Sequence, residues 1–215
     1  MISGLQTPRS VPHRRLREGR TSRVVTRYSL RCPNGTYRRN DAKSELENYT
    51  RMLSLLRLNA LASYTAAKLI EGVTITINEG RTTAEVEYLS VVPFFDVKET
   101  YVLDGMTRTK NSRRDMEAGM STCTATLVND IEDASTGESY VLRIRMSWEE
   151  PNRGGLVEEM HVATTGELVV MSTVQVRDGT ATCRTVYDKV GEGGLRFNAR
   201  WNPLDAVRIM RGGKV

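Results

Sequence analysis

From Val73 to Val190 the chain repeats one pattern: apolar and polar residues alternate with a period of two, and turn dipeptides interrupt them at short intervals. Successive side chains on a strand point to opposite sides, so this period marks strands with one buried and one wet face. Val73, Ile75 and Ile77 alternate with Thr74, Thr76 and Asn78, and Glu79-Gly80 turns the chain. Comparable segments follow at 82–89, 95–103, 106–111, 120–128, 140–148, 156–164, 168–176 and 180–190. The expected turns are Asp104-Gly105, Thr136-Gly137, Arg153-Gly154-Gly155, Thr165-Gly166 and Asp178-Gly179. Between residues 32 and 190 proline stands only at 33, 93 and 151, always between strands, as a paired sheet requires.

With a short strand expected at 36–39, the count reaches about ten strands in hairpin succession. An open sheet of that kind exposes two edges, and curling it closed removes them. The sequence therefore predicts an all-β chain, a ten-stranded antiparallel up-and-down β-barrel, with a β-sandwich as the structural alternative. One helical insertion precedes the alternation. Leu46, Tyr49, Leu53, Leu56 and Ala60 fall at helical spacing behind Asp41, a candidate cap. A break near Asn59, a second run at 62–70 and Gly72 as a stop complete a helix-turn-helix at 42–71, expected to lie as a lid across one mouth.

The ends differ from the middle in charge. Residues 1–31 carry eight arginines against Glu18, a balance of +7, and residues 191–215 contribute +3. The total is +5, so the intervening stretch holds −5. This divides the chain into a basic tail (1–31), a barrel (32–190), and a glycine hinge with a short C-terminal helix (191–215). In the last part Asn202 caps, Pro203 begins the helix, and Leu204, Val207 and Met210 share one edge. The tail shows no hydrophobic period and is expected to be unstructured alone. Its Arg9, Arg14, Arg15, Arg17, Arg20, Arg23 and Arg27 suit docking on an acidic assembly such as tubulin or RNA. An Arg-rich, acid-poor start also resembles a mitochondrial address.

Chemistry is hard to place. No G-x-S-x-G, H-E-x-x-H, phosphate-loop or G-x-G-x-x-G pattern occurs, so the expectation is a protein that is not an enzyme and needs no cofactor. Cys32, Cys123 and Cys183 form no C-x-x-C pair, and His13 and His161 lie far apart, which predicts neither a disulfide scaffold nor a metal site. Glu158-Glu159 are sequence neighbours and should face opposite sides of a strand. No stretch reaches the roughly 18 apolar residues of a membrane span. The expected location is intracellular: cytoplasmic or cytoskeletal, with mitochondria as the alternative.

Asn34-Gly35-Thr36-Tyr37 followed by Glu45-Leu46-Glu47-Asn48-Tyr49 resembles the opening of intracellular fatty-acid-binding proteins, where a Gly-Thr-Trp strand leads into a helix pair. Tyr101–Met106 and Ser121–Leu127 are similar to that family's central hairpins, and Gly179–Val190 to its last strand. The resemblance implies a barrel holding a small lipid under a helical lid. It also exposes departures. The family's last strand carries Arg-x-Tyr to grip a carboxylate; here Tyr187 matches, Thr185 takes the arginine position, and Arg184 has moved by one residue to the outer face. The family's second ligand arginine, in a Val-Arg-Glu segment, becomes Val157-Glu158-Glu159, and Arg39 falls at or beside a position that is usually apolar. A fatty-acid anion loses its partners in such an interior, which disfavours it as cargo. The resemblance makes Tyr187, Thr185, Cys183, Glu158 and Met146 the candidate ligand contacts and implies a non-enzymatic barrel for an apolar or amphiphilic ligand. The alternative is a structural subunit threaded by its basic tails into a large assembly.

Overall fold

A computed structural model of the protein describes residues 31–58, 60–90, 97–113, 116–117, 119–130 and 139–191. The basic tail and C-terminal helix expected from the sequence lie outside these residues, save Arg31. Ten strands form one sheet: β1 Gly35–Arg39, β2 Ile70–Ile77, β3 Thr83–Ser90, β4 Val97–Val102, β5 Thr109–Arg113, β6 Gly119–Asp130, β7 Ser139–Trp148, β8 Gly154–Val162, β9 Leu168–Val176 and β10 Gly179–Lys189. Their order is β4-β3-β2-β1-β10-β9-β8-β7-β6-β5, and every pair is antiparallel. Because β1 joins β10, the meander curls into a barrel, and among the described residues only β4 and β5 lack a ladder to close it. The fold is the expected nearly closed barrel.

The seam between β4 and β5 is held otherwise. Asn111 Nδ2 on β5 donates to Glu99 Oε1 on β4 at 3.2 Å, and the turn after β4 reaches past β5 to β6 through Gly105 N–H to Ala125 O at 2.8 Å.

Alternation sets the core. Leu142, Met160, Leu168, Val174 and Cys183 on β7 to β10 are fully buried on the inner face, while Arg145, Gln175 and Thr182 face water. Two glycine readings change. The expected turn at Arg153-Gly154-Gly155 sits at 149–153 instead, and Gly154 begins β8. A Cβ there would lie 2.6 Å from Gln175 O and 3.1 Å from the Trp148 ring, so close strand approach requires glycine. Gly72 is no helix stop but a residue of β2, beside the register shift between Ile70 and Gly72.

The lid comprises a 3-10 turn at Asp41–Lys43, α1 Leu46–Leu55, α2 Ala60–Tyr64 and a π-helical turn at Thr65–Leu69. Asn40 rather than Asp41 caps the first turn, its side chain accepting from Lys43 N–H at 3.3 Å. Asp41 instead accepts from Arg39. Residues 40–45 continue where β1 leaves β10, and they satisfy that strand's exposed backbone. Asn40 N–H donates to Val186 O (2.8 Å) and Glu45 N–H to Arg184 O (2.9 Å). Val186 N–H donates to Ser44 Oγ (3.0 Å) and Arg184 N–H to Glu45 Oε2 (3.1 Å). At the far end of α1, Arg57 bonds Asp178 at 2.5 Å in the β9–β10 turn, and Asn152 Nδ2 donates to Leu55 O at 3.0 Å. The lid therefore covers the end of the barrel that holds Trp148 and Asp178.

Candidate functional site: the barrel interior

Three polar groupings face inward. The first surrounds Tyr187. Its partner across the β1–β10 pair is Arg39, so the two side chains share the inner face. Arg39 is only 8% exposed and its donors are occupied: Nε to Asp41 Oδ1 at 2.7 Å, Nη1 to Ala66 O at 3.3 Å and Nη2 to Ala67 O at 3.0 Å. Tyr49 adds a hydroxyl to Ala66 O at 3.3 Å. This interior arginine thus ties the π-helical turn of the lid to β1. Burial pushes the Tyr49 phenol up to about 12 and raises Tyr187 strongly; the Arg39 charge opposes both.

The second grouping lies deeper in the wall. Glu158 on β8 sits between Leu156 and Met160 in parity and faces in with them. Its Oε2 accepts from Tyr88 OH at 2.9 Å and its Oε1 from Ser172 Oγ at 3.1 Å, so β3 and β9 converge on one carboxylate. The third grouping stands at the seam. Glu99 accepts from Tyr101 OH and from Asn111 Nδ2, and the same amide reaches Cys123 Sγ at 3.6 Å. Burial first, then the Glu99 charge, raises Tyr101 far above the usual phenol range. The charge of Glu158 also raises Tyr101, and that of Glu99 raises Tyr88, so the two groupings are electrostatically linked.

Tyr88 and Glu158 project to the inner face yet stay only half-buried, whereas neighbours such as Leu142, Met160 and Val174 are sealed.

The residues singled out by sequence divide accordingly. Tyr187, Thr185 and Cys183 are buried on the inner face, and Arg184 points outward, its guanidinium donating to Lys43 O at 3.3 Å. Cys183 and Thr185 lie beneath the start of the lid, where Cys183 Sγ meets Glu45 O at 3.5 Å and burial pushes the thiol up. Glu158 is drawn into the polar belt. Met146 is buried one rung nearer Trp148, among apolar neighbours paired from Cys123 and Leu156. The sequence reading missed Tyr88, Ser172, Glu99, Tyr101 and Asn111. Parity carried a signal for two of them, since Glu99 and Tyr101 alternate with Thr100 and Val102.

Among the described residues no group of three or more His, Cys, Asp and Glu could hold a metal, and no helix is long and apolar enough to cross a membrane.

No protein-family model matches the chain, and no curated protein matches its sequence. Among solved structures, zebrafish ileal bile acid-binding protein complexed with cholic acid aligns at 13% identity and a TM-score of 0.45, covering 73% of this chain and 98% of its own. Secretory abundant heat soluble protein 4 from Ramazzottius varieornatus aligns at 10% identity and a TM-score of 0.48, covering 74% and 95%. The barrel assignment stands on this chain's own strand order and register.

Proposed function

We propose that this chain is a non-catalytic binding barrel that takes a small apolar or amphiphilic molecule into its interior. The observation that carries the reading is the hydrogen-bonded pair Tyr88–Glu158, which faces inward yet is less buried than Leu142, Met160 and Val174. An eight-stranded barrel is just wide enough for its own side chains to fill, and ten strands enclose more. Burying a carboxylate costs several kcal/mol without partners, so a barrel that served only as a block would favour an apolar interior. Here two carboxylates and several phenols are kept on the inner face and supplied with hydrogen bonds. The test is native mass spectrometry of the full chain, which reads whether one small molecule co-purifies with it.

A second observation concerns the tails. Arg31 pairs with Ser139, Tyr140 N–H donates to Arg31 O at 2.9 Å, and Val190 N–H donates to Thr36 O at 2.9 Å. Both ends of the barrel chain therefore leave at the rim opposite the lid. The arginines of residues 1–31 and the basic C-terminal stretch start from one pole, which supports docking of that pole on an acidic surface while the lid end stays free for ligand.

A further inference from the structure

We infer that the segment just before Arg31 folds back over the end of the barrel opposite the lid, with Leu30 and Tyr28 turned in against Leu103, Leu127 and Val162 and with Arg27 turned out. This docking does not depend on the interior-binding reading above.

The two sides of that end are closed differently. On the side of β1 to β3, residues 32–34 cross it: Pro33 is fully buried, and Asn34 Oδ1 accepts from Ile77 N–H at 3.2 Å. Arg81, in the β2–β3 turn, lies 4.3 Å over the Tyr140 ring of β7 and donates to its hydroxyl, which straps one wall to the other. On the seam side the rim is apolar. The antiparallel bridge Asp104↔Thr126 sets Leu103 opposite Leu127, and Leu127 pairs with Leu142 on β7. Leu103, Leu127 and Val162 continue the inner phase of Tyr101, Ala125 and Met160. Those three deeper residues are buried, whereas Leu103, Leu127 and Val162 pack on the core and stay only partly covered.

The chain enters at this corner with a known phase. Arg31 forms a parallel bridge with Ser139, and Tyr140 N–H donates to Arg31 O at 2.9 Å. Tyr140 is buried on the inner face, so Ser139 stands outward, and Arg31, opposite it, does the same. Cys32 turns the other way and packs on the core. The tail as a whole has no hydrophobic period, but this phase carries back through its last residues. Leu30 and Tyr28 fall with Cys32, and Ser29 and Arg27 fall with Arg31. The bulky apolar residues are the ones turned in.

Reach and tethering favour this occupant. Three extended residues span about 10 Å, and two strand spacings cover about the same distance, enough to pass from β7 over β6 to Leu103. A segment covalently joined at Arg31 has an effective concentration on the order of millimolar at the corner, which a second copy or a foreign peptide must exceed. Apolar burial drives the contact, and the alternate arginines remain in water. Arg27 and Arg31 then stand outward at the pole from which the basic tail would dock.

The experiment compares thermal unfolding of the intact 215-residue protein with that of single variants, and adds hydrogen exchange read by mass spectrometry. Leu30→Ser and Tyr28→Ser should each lower the unfolding midpoint by about 3–6 °C. Arg27→Ser and Ser29→Ala should shift it by less than about 2 °C. In the natural chain the amides of residues 26–30 should exchange about tenfold or more slower than those of residues 5–20. The loss from Leu30→Ser should shrink in a Leu127→Ala background, because both changes remove one contact; Leu127→Val serves if the alanine variant does not fold. Equal midpoints for inward and outward variants, or exchange at 26–30 as fast as at 5–20, overturns the docking. Strictly additive losses at Leu30 and Leu127 overturn its place at this corner. A two-chain mass in light scattering, with a midpoint that rises with concentration, would give the corner to a second copy and overturn the fold-back.

Discussion

The wall from β7 to β10 and the seam between β4 and β5 belong to one sheet but are held by different forces. In the wall, the ladders run without a break from Val141↔His161 to Trp148↔Gly154 and from Gly179↔Val176 to Tyr187↔Leu168. The inner face there buries mainly apolar side chains, interrupted by Glu158, Ser172 and Thr185. At the seam the described residues form no ladder, and the strands meet through Asn111–Glu99 and the reach of Gly105 to Ala125. Burial of apolar area dominates folding free energy, whereas a single side-chain hydrogen bond contributes about 1 kcal/mol net. The comparison separates the two tasks of the barrel: the wall stabilises the fold, and the seam and its polar belt shape the interior.

The largest effect should come from the wall. Leu142→Ala deletes a fully buried side chain and should cost about 2–5 kcal/mol, read as a lower midpoint in denaturant unfolding. A loss no larger than that of a seam variant would dissolve the distinction.

An intermediate effect should appear with alkali. Burial raises the phenols of Tyr37, Tyr101 and Tyr187 above their ordinary value of 10. A raised acid stays protonated in the barrel while its unfolded counterpart ionises, so stability is complete below pH 10 and falls as pH rises from there toward the folded values. Each such phenol should cost about 1 kcal/mol one unit above that point. Ultraviolet phenolate absorbance should rise together with loss of circular dichroism; independent titration of these three in a still-folded barrel would show that the interior is open to water throughout.

The smallest effect belongs to the seam. Asn111→Ala removes the bond to Glu99 and should cost about 1 kcal/mol or less, yet it should speed amide exchange in β4 and β5 while β8 to β10 stay protected. Equal acceleration across all strands would mean that the seam is not a separate element.

Much of this was legible in the sequence, because period two fixes both strand identity and relative face. Parity put Thr185 and Tyr187 on one face and Arg184 on the other, and the resemblance of the last strand set which face is inward. The same parity pairs Arg39 with Tyr37 and Glu158 with Leu156 and Met160. What parity cannot give is the partner. That Tyr88 and Ser172 meet at Glu158, or that Arg39 is consumed by lid carbonyls, depends on strand tilt and on where residues 60–69 return over the barrel. The glycine readings failed for a related reason. Gly154 and Gly72 look like punctuation, but a glycine inside a strand, demanded at Gly154 by close strand approach, has the same letter as one demanded by a turn. Asp41 does not cap because Arg39, two residues away, takes its carboxylate; Asn40 caps the 3-10 turn instead, and α1 starts only at Leu46 behind Glu45.

The most direct test of interior binding is native mass spectrometry of the full chain isolated under gentle conditions, beside a variant, Val170→Trp, that fills the inner face between Thr185 and Met160. The account predicts one small-molecule adduct per chain for the natural protein, released on unfolding in acid, and only the bare mass for the folded variant. Bare mass for both proteins, or an adduct retained equally by the filled barrel, would contradict it.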